Sequence, residues 1–149
     1  MTIKDQLLQK CTEFVSQKIN TIEESIFELR LSANNETKSS VGDKYETGRA
    51  MIQLEIEKNA AQLKVWQTQL AELKPISTEK KSNKVEFAAI VKCTNANYFI
   101  AQACGKFIVD NESYFAVSVN SPIFKAMSGK IAGDHFDFNG QQAKILEIL

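Results

Sequence analysis

Neither proline nor glycine occurs between Met1 and Val41, and the first proline is Pro75. A chain that avoids both residues for so long, and spaces its apolar side chains three or four apart, is committed to helix. In the first stretch the apolar positions are Leu8, Cys11, Val15, Ile19, Ile22, Ile26, Leu29 and Ala33, with Lys10, Glu13, Lys18, Glu23, Glu24 and Arg30 between them as a solvated face. Thr2 followed by Asp5 is a start signal with an acid in the first turn, as the helix dipole prefers. The polar run Asn34–Ser40 breaks the pattern, because such side chains compete for backbone hydrogen bonds. The pattern resumes after Gly42 with Met51, Leu54, Ile56, Ala60, Leu63, Trp66, Leu70 and Leu73, and Pro75 closes it.

Two helices of nearly equal length joined by a short polar turn are expected to lie antiparallel and to pack seam to seam as a coiled coil. About 30 residues per arm make a rod on the order of 45 Å, longer than a small globular core needs. Ile3, Leu7, Phe14, Phe27 and Ile52 lie off the simplest seam. They either widen it or support pairing with a second copy, so a monomer is expected with a homodimer as the alternative.

Composition changes at Pro75. Residues 76–84 are polar and aperiodic and read as a linker, and the remainder, 85–149, reads as a small α+β domain. Strands are expected at Val85–Cys93, Tyr98–Ala103, Lys106–Val109 and Tyr114–Val119, with Asp110-Asn111-Glu112-Ser113 as the turn between the last two. Ser121 and Pro122 begin a short helix as N-cap and first helical residue, and Gly129 ends it. His135–Phe138 and Ala143–Leu149 form a hairpin around Asn139-Gly140, a favoured two-residue turn. A module of about 65 residues is only marginally stable alone.

The composition, 44% apolar and 24% charged, suits a folded soluble chain. A formal net charge of zero argues against broad, non-specific nucleic-acid binding. Cys11, Cys93 and Cys104 are odd in number and widely spaced, so ordinary buried thiols in a reducing compartment are expected, with neither a disulfide framework nor a zinc site. His135 has no second histidine to share a metal. No apolar run is long enough to span a membrane and no signal-peptide core begins the chain, so a cytoplasmic location is expected. Neither a nucleophile–base constellation nor a phosphate-cradling glycine loop is present.

The stretch Ser40–Arg49 stands where the two helices turn. Asp43 and Glu46, three apart at the start of the second helix, can share one face of its first turn. One reading is a capping box, with Asp43 as N-cap and Glu46 at N3. The other is an acidic pair carried at the end of the hairpin into a partner's active site.

Val117-Ser118-Val119-Asn120-Ser121-Pro122-Ile123, Ala126-Met127-Ser128-Gly129-Lys130, Gly133-Asp134 and Ile145-Leu146-Glu147-Ile148 together resemble the C-terminal domain of bacterial Gre-type transcript cleavage factors. Gly42-Asp43-Lys44-Tyr45-Glu46 is similar to the Gly-Asp-x-x-Glu of the coiled-coil tip in that family. The resemblance implies an FKBP-like fold for the second domain and a role as an accessory factor of RNA polymerase, not an enzyme in itself. It implies that Asp43 and Glu46 enter the polymerase's secondary channel and help hold a second Mg²⁺, a cofactor of the complex and not of the free protein. There they would position the water that hydrolyses the end of a backtracked transcript. It implies docking through Asn120, Ser121 and Pro122, and Lys38, Lys44 and Arg49 are candidates for contact with the RNA. Lys44 and Thr47 depart from the family's usual leucine and asparagine. Relatives of this architecture also include inhibitors of transcription, so a channel-binding regulator is the alternative, and a coiled-coil or FKBP-like adaptor is a second.

Overall fold

The computed structural model describes residues 1–38 and 42–149, and the side chains of these except 36–38 and 42–46. Two long helices, α1 (Ile3–Lys38) and α2 (Gly42–Leu73), precede strands β1 (Ile90–Cys93), β2 (Asn97–Ala101), β3 (Gly105–Val109) and β4 (Glu112–Ser118), a short helix α3 (Pro122–Met127), and strands β5 (His135–Phe138) and β6 (Gln141–Ile148). The chain is α+β. Its contacts define two compact units, Val15–Ala71 on one hand and Met1–Phe14 with Glu72–Leu149 on the other. These run differently from the division into 1–75, 76–84 and 85–149 read from composition.

Within Val15–Ala71 each helix turns one stripe away from water, buried on α1 and half-buried on α2. On α1 the stripe is Val15, Ile19, Ile22 and Ile26, followed by half-buried Leu29 and Ala33. On α2 it is Ile52, Ile56, Asn59, Leu63, Trp66 and Leu70, alternating four and three residues apart, which is the heptad spacing of a coiled-coil seam. The expected set differs here. Met51, Leu54 and Ala60 are exposed, while Ile52 and the polar Asn59 take seam positions. Apolar character alone could not choose between neighbours such as Met51 and Ile52, whereas the strict period could. Asn59 Nδ2 donates to Glu55 O at 2.8 Å, satisfying part of its amide on its own helix. A groove lined by Ser25, Glu28, Leu29 and Ser32 of α1 and by Glu55 and Asn59 of α2 shows these segments side by side. With only 39–41 between the helices, α2 must start near the end of α1 and run back along it.

The second unit is a six-stranded sheet in the order β3-β4-β2-β1-β6-β5. Every pairing is antiparallel except β2 with β4. Two hairpins close on two-residue turns with both residues left-handed, Asp110-Asn111 (φ 51 and 65) and Asn139-Gly140 (φ 51 and 76), the geometry that matches strand twist. The first turn is therefore tighter than the four residues expected. β1 starts later than expected, because Ala88 is left-handed (φ 73) and Ala88 N and Ala89 O both bond to Ile100. That places two residues opposite one, a bulge. Val85 pairs instead with the end of α3, through Val85 N to Lys130 O and Gly129 N to Val85 O. Gly129 there has φ 75, a conformation glycine adopts without strain. A register shift of β1 on β6 between Lys92 and Cys93 leaves Leu146 exposed.

Successive residues of β2, Tyr98, Phe99, Ile100 and Ala101, are all buried, so both faces of the sheet centre are covered. Tyr98 and Ile100 belong to one cluster with Val91, Cys93, Ile123, Met127, Phe136 and Ile145, on the α3 side. Phe99, Tyr114 and Ile90 alternate with these, are fully buried, and face the other way. The basal turns of α1 and the end of α2 lie on that side. Leu7, Cys11 and Leu73 are buried there. Lys4 Nζ donates to Lys80 O at 2.8 Å, and Gln102 Nε2 donates to Glu72 Oε2 at 2.6 Å. The expected linker is thus irregular backbone drawn into the unit, with Ser82 and Val85 buried. The capping box at the start of α1 is formed, with Thr2 N and Oγ1 donating to Asp5 Oδ2 at 2.8 and 2.9 Å and Asp5 N donating to Thr2 Oγ1 at 3.1 Å. Hydrogen bonds from Thr78 and Thr2 hold the Asp5 carboxyl below the usual carboxylate range.

The 85–149 fragment alone is expected to lack cooperative unfolding, since one face of its sheet is bare without the helix bases. In the full chain, Leu7→Ala should cost about 2–5 kcal/mol in denaturant unfolding, against less than about 0.5 kcal/mol for the half-exposed Leu31→Ala. A sharp unfolding transition in the fragment would show that the sheet does not depend on the helix bases. Because the Asp5 pKa is lower folded than unfolded, its contribution is full at neutral pH and is lost as pH falls below about 4 through the folded value. Asp5→Asn should accordingly flatten the fall in melting temperature between about pH 5 and pH 2.

Candidate functional site

Two sets of residues were expected to carry function, and they lie in different units. The first is the opening of α2. The helix begins at Gly42, so the backbone of Asp43 lies inside the first turn instead of preceding it as an N-cap. Asp43 and Glu46 are three residues apart in the opening of this helix, an end where the helix dipole favours negative charge. Their side chains, with those of Lys38 and Lys44, lie outside the described residues. Arg49, one turn on, is exposed.

The second set is the corner between β4 and α3. Ser121 is extended (φ −71, ψ 147), and its Oγ accepts from Phe124 N at 3.2 Å, making it the N-cap of α3 with Pro122 in the first turn. The same hydroxyl donates to Ser118 O at 2.7 Å, and Asn120 N donates to Ser118 Oγ at 3.2 Å. Ser121 N also donates to Ser118 O at 3.1 Å. The corner is therefore rigid, tied on both sides by two serines. It presents Asn120 and Pro122 to solvent beside the exposed Val119. Ile123 and Met127 anchor α3 into the core beneath it. An exposed, rigid, largely uncharged corner is suited to contact with a protein surface.

A groove of about 440 Å³ is lined by Lys4, Pro75, Ile76, Ser77, Lys80, Ser82, Glu86, Phe87 and Ala88. Its one buried cation, Lys4, is already donated to Lys80 O, and burial pushes its pKa down while Glu86 partly restores it. Glu112 Oε2 gathers Asn97 Nδ2 at 3.1 Å and the Lys92 ammonium at 3.5 Å, a pairing that ties β1, β2 and β4 together. His135 is exposed on β5 opposite Lys144. Among the described residues no three His, Cys, Asp or Glu side chains come together to hold a metal, and no helix is long and apolar enough to cross a membrane.

One juxtaposition had no signal in the sequence. Cys11 of α1 and Cys104 of the β2–β3 loop are both buried, and their mutual influence pushes the Cys11 thiol up and draws the Cys104 thiol down. Sequence spacing says nothing about a pair so far apart.

No family model and no curated protein matches the chain. Among solved structures, that of the transcription factor Gfh1 is similar at 16% identity, covering 93% of this chain and 92% of that one, with a TM-score of 0.38. A likeness that faint does not transfer the properties of one chain to the other.

Ser121→Ala removes the acceptor for Phe124 N and is expected to cost about 1 kcal/mol in unfolding free energy. Ser121→Asn keeps the cap and should lie within a few tenths of a kcal/mol of the native chain. Equal destabilisation by both would assign the loss to something other than capping.

Proposed function

We propose that this chain is an accessory factor of RNA polymerase that enters its secondary channel and stimulates hydrolysis of backtracked RNA. The observation that carries the reading is the sequence Gly42-Asp43-Lys44-Tyr45-Glu46 at the opening turn of the second helix of a hairpin. In the sequence this acidic pair follows directly on the turn between the two helices. The corner Asn120-Ser121-Pro122 supports a docking role for the second unit, which the resemblance further reads as FKBP-like.

The chemistry needs little from the chain. Two carboxylates offer the oxygen donors that Mg²⁺ prefers, but too few to complete its octahedron. Asp43 and Glu46 therefore fit as a part share of a site whose other ligands belong to the polymerase. An ion so held supplies stabilisation of charge on the attacking and leaving oxygens of the phosphodiester. The work of Asp43 and Glu46 is to hold that position and to orient a water for attack. Lys38, Lys44 and Arg49 are the cations that would meet RNA phosphates. The active centre and the bond-breaking belong to the polymerase, so the chain is not an enzyme on its own. Lys44, a cation between the two acids, favours one second reading, a channel-binding regulator that occupies the site without promoting cleavage.

Cleavage of RNA in stalled, backtracked elongation complexes tests both. The native chain should accelerate Mg²⁺-dependent cleavage, and Asp43→Asn with Glu46→Gln should remove on the order of 100-fold of that acceleration, a few kcal/mol of transition-state stabilisation. Both replacements keep side-chain size and remove only charge from the opening turn of α2, worth about 1 kcal/mol or less each, so melting temperature and polymerase binding should change little. Full cleavage by the double variant would overturn the metal-holding role. Binding without cleavage by the native chain would establish the regulator, and failure to retain polymerase in a pull-down would leave an adaptor of other partners.

A further inference from the structure

The seam of α2 does not use all the apolar residues of that helix. Met51, Leu54 and Val65 are left in water, exposed to 65%, 66% and 56%. With Lys58, Ala61 and Thr68, also exposed, they recur at alternating steps of three and four. That is a second heptad stripe on the same helix, and it shares no residue with the one from Ile52 to Leu70. Thr68 Oγ1 donates to Lys64 O at 2.9 Å, which satisfies that hydroxyl on its own helix.

The charges on and beside the stripe select its occupant. When the stripe lies antiparallel on its own copy, one register sets Leu54 on Val65 of the second copy. The same register sets Met51 on Thr68 and Lys58 on Ala61, where the lysine stem covers the alanine and the ammonium reaches water. On the flanks Glu57 falls opposite Lys64, twice by symmetry, and Glu55 falls opposite Gln62. Among the described residues neither Glu57 nor Lys64 is in an ion pair within the chain. Sliding one copy by a heptad in one direction sets Glu57 on Glu57 and Glu55 on Glu55. In the other direction Lys64 meets Lys64, and a parallel pairing sets Lys58 on Lys58. Flanking and buried charges of this kind fix register and orientation, and of the four arrangements only the first is free of like-charge pairs. The exposed Phe27 of α1, by contrast, sits among Glu23, Glu24 and Glu28, which a second copy of that face would repel.

We infer that this face of α2 is a self-association surface. Two copies pair antiparallel along it, Leu54 against Val65 and Glu57 against Lys64 in both directions. The stripe runs about 27 Å along the helix, which is short. The dimer therefore belongs with the small, weak interfaces and dissociates at tens of micromolar.

Sedimentation velocity on the full-length chain in dithiothreitol, from low micromolar to near millimolar concentration, tests this. Monomer should give way to dimer across that range. Leu54→Glu with Val65→Glu should stay monomeric throughout, with a thermal melt close to native because both positions are exposed. Glu57→Lys alone and Lys64→Glu alone each bring like charges together twice, and each should weaken the dimer about tenfold. Both substitutions in one chain restore the opposite-charge pairs and should restore native association. An equal mixture of the two single variants should form a mixed dimer for the same reason. A native chain that is monomeric at every concentration would overturn the proposal, as would a dimer retained by the Leu54→Glu, Val65→Glu chain. Single charge variants that associate as well as the native chain, or a combined variant that stays weak, would overturn it too.

Discussion

The centre of the sheet is apolar on both faces, and the rest of the second unit follows from covering it. Phe99 and Tyr114 point one way and Tyr98 and Ile100 the other, and none is left in water. α3, six residues long, covers one face together with β5 and its neighbours. For the opposite face the chain uses its own beginning, the first turns of α1, and the end of α2. A strand buried on both sides reads as a continuous apolar run instead of an alternation, and β2 shows that run.

This cover explains several features that otherwise look unrelated. Lys4 is buried at the base of α1 because its stem packs there while its ammonium reaches Lys80 O. Gln102, buried in the β2–β3 loop, finds the Glu72 carboxylate at the end of α2, since a buried amide left unpaired would be costly. Cys11 and Cys104 meet on the same side. The segment after Pro75 is held against the unit for the same reason, although its sequence has the polarity of a free linker.

The parallel pairing of β2 with β4 follows from where β3 sits. The β3–β4 hairpin is closed by Asp110-Asn111, yet β3 lies on the outer edge of β4 and not between β4 and β2. The short passage Gln102–Cys104 therefore carries the chain to the far side of β4. That passage is where Gln102 and Cys104 are pinned, so the loop that makes the topology also makes the contacts with the helix bases.

Local chemistry was legible in the sequence. The two helices, the Thr2–Asp5 box, Ser121 and Pro122 at the start of α3, Gly129 at its end and the Asn139-Gly140 turn each rest on interactions within a few residues, so the sequence states them directly. The candidate corner at Asn120–Pro122 was legible for the same reason, as was the place of Asp43 and Glu46 in the opening of α2. What spans distance was decided only by tertiary structure. The end of the sheet unit at Phe14 depends on which segment covers Phe99 and Tyr114. The start of β1 depends on Ala88 opposing Ile100, and the pairing of Cys11 with Cys104 depends on the fold of the whole unit. Hydrogen bonds and caps act between near neighbours in the chain, whereas burial acts between whatever surfaces the chain brings together, and sequence order does not record which those are.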